Sequence, residues 1–169
     1  QHYGLDQFAD IVTIGKITQV CATLYRNDFL PKAPILSQTF TGSTAAISTG
    51  LATLDALQST KCFGADGGNM KRHAYFAEQL QKLAEKYPSS ISGPFGEGMM
   101  IVFTPGEGTL DHAKLLMNLM FEEGLLGFLC GAEPARLRFL PPPMITTTEH
   151  IDAAIKLLDR SLEKFTSQK

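Results

Sequence analysis

The stretch Asp10-Ile11-Val12-Thr13-Ile14-Gly15-Lys16-Ile17-Thr18-Gln19-Val20-Cys21 decides how this 169-residue chain is read. Its first half is short, apolar and β-branched, and Gly15 ends it abruptly. That pattern predicts a buried strand that hands its next residue, Lys16, to a loop. An ammonium group there is costly to desolvate unless it is paired or loses its charge. A neutral lysine is a nucleophile suited to forming a Schiff base with a carbonyl compound. The competing reading is a lysine that snorkels outward from a strand end. A nucleotide phosphate loop is excluded, because Asp10 and Ile17 occupy the places that GxxxxGK[ST] reserves for a glycine and a hydroxyl residue.

Outward from that stretch, the composition sets the class. With 44% hydrophobic and 19% charged residues and a formal charge of −2, the chain reads as an ordinary globular protein without a nucleic-acid or membrane signature. No apolar run approaches the roughly 18 residues of a membrane helix. Cys21, Cys62 and Cys130 are odd in number and widely spaced, which predicts reduced thiols in a cytoplasmic protein rather than a structural zinc site. A continuous apolar strand so near Gln1 expects neighbours on both sides, so the chain reads as the C-terminal portion of a longer polypeptide.

Downstream, Ala22–Asp28 is mixed and Phe29–Pro34 is a proline-punctuated connection. Ile35–Phe40 reads as a short strand. Ser43 or Thr44 can cap a helix bearing Ile47, Leu51, Leu54 and Leu57. Such a hydroxyl-rich helix start reads either as plain capping or as an anion site. Lys61–Asn69 is a glycine-rich linker, and Met70–Tyr87 a long amphipathic helix with Phe76, Leu80, Leu83 and Tyr87 inward. Strands follow at Met99–Phe103, Phe128–Cys130 and Ala135–Leu140. Between them Thr109 caps a helix that Gly124 stops. Thr146-Thr147-Thr148-Glu149 forms a capping box on a last helix striped by Ile151, Ala154, Ile155, Leu158, Leu162 and Phe165. The fold class is α/β.

Strand alternation puts Arg136 and Arg138 on one face, opposite Leu137 and Phe139. Paired arginines are either a solvated face or, lining a cleft, planar forks for a carboxylate.

Three segments together resemble one family. Asp10–Cys21 is similar to the cofactor-lysine segment of class III aminotransferases, pyridoxal-phosphate enzymes of fold type I, and closest to their lysine 6-aminotransferase branch. Gln38-Thr39-Phe40-Thr41-Gly42-Ser43 resembles the threonine–glycine motif that follows that lysine, with Thr41 at the first glycine. Leu137-Arg138-Phe139-Leu140-Pro141-Pro142, leading to Thr148-Glu149-His150-Ile151-Asp152, resembles the family's C-terminal end, and Gly96–Met100 fits its C-terminal domain.

The resemblance implies that residues 1–60 end a large pyridoxal-phosphate-binding domain and that 61–169 form a small C-terminal α/β domain. It implies a catalytic role for Lys16, which would hold pyridoxal 5'-phosphate as an imine. Thr39 would bind a cofactor phosphate across a homodimer interface, and Arg138 would bind a substrate carboxylate. The implied reaction moves an amino group, with the lysine ε-amine as best guess, to 2-oxoglutarate. Acetylornithine and 4-aminobutyrate aminotransferases, an aminomutase, and an isolated non-catalytic C-terminal domain are the alternatives. The match covers only about the last two-fifths of such an enzyme, so the chain alone is expected to be inactive.

Overall fold

A computed structural model of the chain describes residues 4–33 and 42–168. It divides into two compact units, Gln1–Ala65 and Asp66–Lys169. The expected strand Ile35–Phe40 and residue Thr39 lie outside the described residues.

In the first unit, β1 (Ile11–Ile14) pairs antiparallel with β2 (Ala22–Tyr25), in a register running from Ile11 opposite Tyr25 to Ile14 opposite Ala22. Between them lies a single 3-10 turn, Lys16–Thr18. The strand is present as the sequence predicts, but it is not buried. Ile11, Val12 and Ile14 are 57%, 43% and 39% exposed. A two-stranded ribbon has too few neighbours to cover both faces, whatever its composition. Beyond it, α1 (Thr44–Ser59) starts where Ser43 Oγ accepts from the Ala46 amide at 3.1 Å. Of its expected apolar stripe, Leu57 is buried while Ile47, Leu51 and Leu54 are exposed.

The second unit is a four-stranded antiparallel sheet with helices on one face. Its elements are α2 (Gly68–Lys86), β3 (Ile91–Phe95), β4 (Ile101–Pro105), α3 (Leu110–Glu122), β5 (Phe128–Cys130), β6 (Arg136–Phe139) and α4 (Thr148–Gln168). The strand order is β3-β4-β6-β5. β3 is an addition to the three strands expected from the sequence, and its Gly93-Pro94 is accommodated because it is an edge strand with a bulge between Ser92 and Phe95. One continuous core joins Phe76, Leu80 and Leu83 of α2 and Leu116, Leu119 and Met120 of α3 to the inward residues of the sheet, Ile101, Phe103, Leu137 and Phe139. Ile151, Leu158, Leu162 and Phe165 of α4 complete it, as their helical spacing predicts.

The helix ends explain why these segments start and stop. Thr109 Oγ1 accepts from the His112 amide at 3.2 Å at the head of α3. At its tail Gly124, at φ +86°, donates to Phe121 O, and the Leu125 amide reaches Met120 O at 2.8 Å. The box on α4 closes differently from the expectation. Thr147 Oγ1 accepts from the His150 amide, and the Thr147 amide donates to His150 Nδ1 at 3.2 Å. The third helical residue is His150 rather than Glu149, so the imidazole takes the place of the expected carboxylate. No helix among the described residues is long and apolar enough to cross a membrane.

Candidate active site

Lys16 is fixed by the geometry of its turn. Gly15 precedes it in fully extended backbone, and Lys16 itself takes the left-handed conformation at φ +59°. Gln19, closing the turn, does the same at φ +60°. Two non-glycine residues in this region within four positions store strain of about 1–3 kcal/mol each. Such strain persists only where the surroundings hold it, and it concentrates at functional sites. Several contacts hold this turn. The Lys16 carbonyl accepts from the Gln19 amide at 2.9 Å, and Thr18 Oγ1 donates to Val20 O at 2.7 Å.

Helix α1 provides the third support. Gly50, buried in the middle of α1, faces the turn so closely that a Cβ there would stand 2.2 Å from Thr18 O. Only a residue without a side chain lets the helix backbone pass this near. The sequence carried a signal for it, an isolated glycine inside a helical pattern, but not what it packs against.

The Lys16 side chain is exposed and makes no ion pair with a described residue. The buried ammonium that the strand pattern suggested is therefore absent. What stands in its place is an approachable primary amine on a braced, strained turn at a strand end. A carbonyl cofactor such as pyridoxal phosphate requires such a nucleophile, and Lys16 fits that requirement.

Arg138 belongs to the second unit, on β6. The alternation is as expected, with Leu137 and Phe139 buried and Arg136 and Arg138 half-buried on the opposite face. Across the sheet Arg138 lies opposite Val102 on β4 and opposite Phe128 on β5, both apolar. Its buried Nε has no hydrogen-bond partner among the described residues. An arginine cannot shed its charge, so an orphaned guanidinium N–H among apolar neighbours suits an incoming carboxylate. Lys16 and Arg138 are thus each available for their expected chemistry, in separate units. Thr39 lies outside the described residues.

The remaining polar links are structural. His73 Nδ1 donates to Gly98 O at 2.7 Å, tying α2 to the β3–β4 turn, and Arg72 Nε donates to Thr146 O at 2.7 Å. The α2 charges form a solvated face, with Lys82 paired to Glu78 at 2.7 Å. Lys86 reaches Asp159 at 2.7 Å, and that carboxylate holds the ammonium above its ordinary value. Cys21, Cys62 and Cys130 are free thiols.

No family model matches the chain. It is 30% identical over 171 residues to the L-lysine-epsilon aminotransferase of Streptomyces clavuligerus, covering 96% of this chain and 35% of that protein. To the acetylornithine aminotransferase of Methanocaldococcus jannaschii it is 32% identical over 168 residues, covering 94% of this chain and 38% of that protein. The solved lysine aminotransferase from M. tuberculosis in the internal aldimine form matches with a TM-score of 0.76 at 24% identity, over 92% of this chain and 36% of that one. The chain therefore spans little more than a third of the length of the relatives it matches. Its relatives are class III pyridoxal-phosphate-dependent aminotransferases, and the chain matches the C-terminal portion of their fold type I architecture.

Proposed function

We propose that this chain carries the cofactor lysine and the substrate-carboxylate arginine of an aminotransferase that moves a terminal amino group to 2-oxoglutarate. The ε-amine of lysine is the best single donor, which the similarity to lysine-epsilon aminotransferases supports. The single observation that carries the reading is Lys16, an exposed amine on a strained turn braced by α1.

In this reading residues 1–60 end the large cofactor-binding domain and residues 61–169 form the small domain. Lys16 Nζ holds pyridoxal phosphate covalently, and Thr39 contributes to a phosphate site across a homodimer interface. When bound, the cofactor supplies an electron-accepting ring that makes a carbon–hydrogen bond of the substrate acidic. With its Nζ free, Lys16 would take that proton as general base and return it as general acid. Arg138 Nε and the rest of its guanidinium fork orient the substrate carboxylate. The buried Val102 opposite it strengthens that pairing by lowering the polarity on that side. The setting for this chemistry is the cytoplasm.

Because the chain spans about a third of its relatives, the second reading is a C-terminal domain that folds without catalysing; the exposed apolar face of β1 favours it for the chain alone. One experiment separates the two. Pyridoxal phosphate is added to the chain, to its Lys16→Ala variant and to a form extended upstream, followed by borohydride reduction and peptide mapping. A visible band trapped at Lys16 is expected in the extended form, and in the chain alone if its site is complete. No trapping at Lys16 in either form refutes the aminotransferase reading.

A further inference from the structure

His112 and His150 have no part in the function proposed above, yet they close the same motif twice. α3 opens with Thr109-Leu110-Asp111-His112 and α4 with Thr147-Thr148-Glu149-His150. In each, the threonine Oγ1 accepts from the histidine amide, at 3.2 Å on α3 and 3.4 Å on α4. In each, the imidazole Nδ1 also meets a backbone amide, that of Glu107 at 3.3 Å and that of Thr147 at 3.2 Å. A backbone N–H can only donate, so Nδ1 is the acceptor in both boxes. Both rings are therefore neutral, with their single proton on Nε2.

A glutamine in this place would accept at every pH. An imidazole accepts only while it is neutral, and unperturbed imidazoles take a second proton near about pH 6.5. That proton goes onto Nδ1 and turns the acceptor into a donor set against the N–H it had held. It also places positive charge at a helix N-terminus, which the macrodipole disfavours. The closed box binds one proton fewer than the open one, so acid favours opening and the box closes again as pH rises.

The groups around the two rings do not replace the lost acceptor. His112 is flanked by the carboxylates of Glu107 and Asp111, and the loop that meets Gly108 through Pro134 brings Glu133. From α4 it meets the uncharged edge-on ring of Phe165, 5.8 Å between centroids. Glu149 stands beside His150, and the cavity that His150 lines holds no other titratable side chain. From α2, Arg72 is committed to Thr146 O, and Tyr75 donates to Asp152 at 2.6 Å. The carboxylates attract an imidazolium, but none of them accepts from the Glu107 or Thr147 amide that it would release.

We propose that the two Thr-x-acid-His boxes are paired acid-opened latches: uptake of one proton at each imidazole releases the Glu107 and Thr147 amides and loosens the first turns of α3 and α4 together. The device is separate from Lys16 and Arg138 and does not depend on the aminotransferase reading. The α4 box also ends the connection that leaves β6, whose other ties are Arg72 to Thr146 O and Thr146 Oγ1 to Pro142 O.

The test is amide hydrogen exchange and ¹⁵N NMR on the 169-residue chain and on its His112→Gln and His150→Gln variants. Glutamine keeps a side-chain acceptor at this place and does not titrate. At about pH 8 the ring nitrogens of both histidines are expected to show an unprotonated Nδ1. Protection of the Glu107 and Thr147 amides, taken relative to unstructured peptide at the same pH, is expected to fall about fivefold in the parent between about pH 8 and pH 5.5, the worth of one ordinary helix cap. In each variant the amide of the substituted box is expected to keep its protection over that range while the other box still opens. Unchanged protection in the parent overturns the proposal, as does an Nδ1–H tautomer at about pH 8. An equal fall at the substituted boxes overturns it too, since acid would then loosen the helix ends without the imidazoles.

Discussion

Replacing Gly50 with alanine tests how the lysine turn is held. The new Cβ would meet Thr18 O at 2.2 Å and Thr18 C at 3.3 Å. A relaxed carbon–oxygen contact needs about 3.3 Å, so turn and helix must separate by about 1 Å. Both clashing groups are backbone, and no side-chain rotation relieves them. Two effects oppose each other. Alanine in a helix interior is favoured over glycine by about 1 kcal/mol, whereas forcing atoms into a packed contact costs about 1–3 kcal/mol. The clash wins, because it falls on the strained turn of Lys16 and Gln19 rather than on a flexible side chain. A net loss of up to about 2 kcal/mol is expected in urea denaturation. Ala52→Gly, at an exposed position of the same helix, gives the propensity scale alone. If Gly50→Ala instead stabilises the protein by about the amount that Ala52→Gly costs, α1 does not brace the turn and the reasoning fails. A displacement of about 1 Å at a reacting group can cost about a hundredfold in rate, so cofactor capture at Lys16 should slow in this variant as well.

Two further perturbations probe the second unit. Phe103, fully buried and 5.8 Å from the Phe139 ring, should lose about 3–5 kcal/mol on truncation to alanine, and a urea midpoint shift worth less than about 1 kcal/mol would contradict the core described here. Glu123, beyond the end of α3, takes Lys164 at 2.6 Å and Arg160 at 2.9 Å, and Lys164 in particular holds its carboxyl below the ordinary value. A carboxyl depressed in the folded state stabilises above its unfolded pKa and loses that contribution as pH falls through the folded one. Thermal melts of Glu123→Gln should therefore lie below those of the parent at neutral pH and converge with them in acid; a gap that widens in acid would reverse the assignment.

The parts that were legible in the sequence were those with a local cause. Thr109 and Gly124 bracket α3 because a hydroxyl cap and a left-handed glycine act within one turn. The alternation of Arg136 to Phe139 is a property of the strand alone. Elements decided by neighbours were not legible. β2 was hidden in a mixed segment, since its pairing with β1, not its composition, makes it a strand. β3 was masked by Gly93-Pro94, which reads as a connection unless one knows that the strand lies at a sheet edge. The burial expected of β1 failed for the same reason, because an apolar composition shows what a strand could bury and its partners determine what it does bury. For the candidate site, the sequence identified Lys16 and Arg138 by resemblance. It could not show the brace at Gly50 or the stacking of Arg136 on Phe95, since both depend on residues distant in the chain.

The strict sidedness of β6 also limits which genetic changes this strand can absorb. Substitutions can be tried one position at a time, each tested against either the core or the arginine face. Loss or gain of a single codon within Arg136–Phe139 is different in kind, because it exchanges the two faces downstream of the lesion and drives a guanidinium toward Phe103 while turning an aromatic ring outward. The connection after Leu140, rich in proline and without strand pairing, has no such parity to lose. Length variation among relatives should therefore gather in that connection and avoid the four residues of β6.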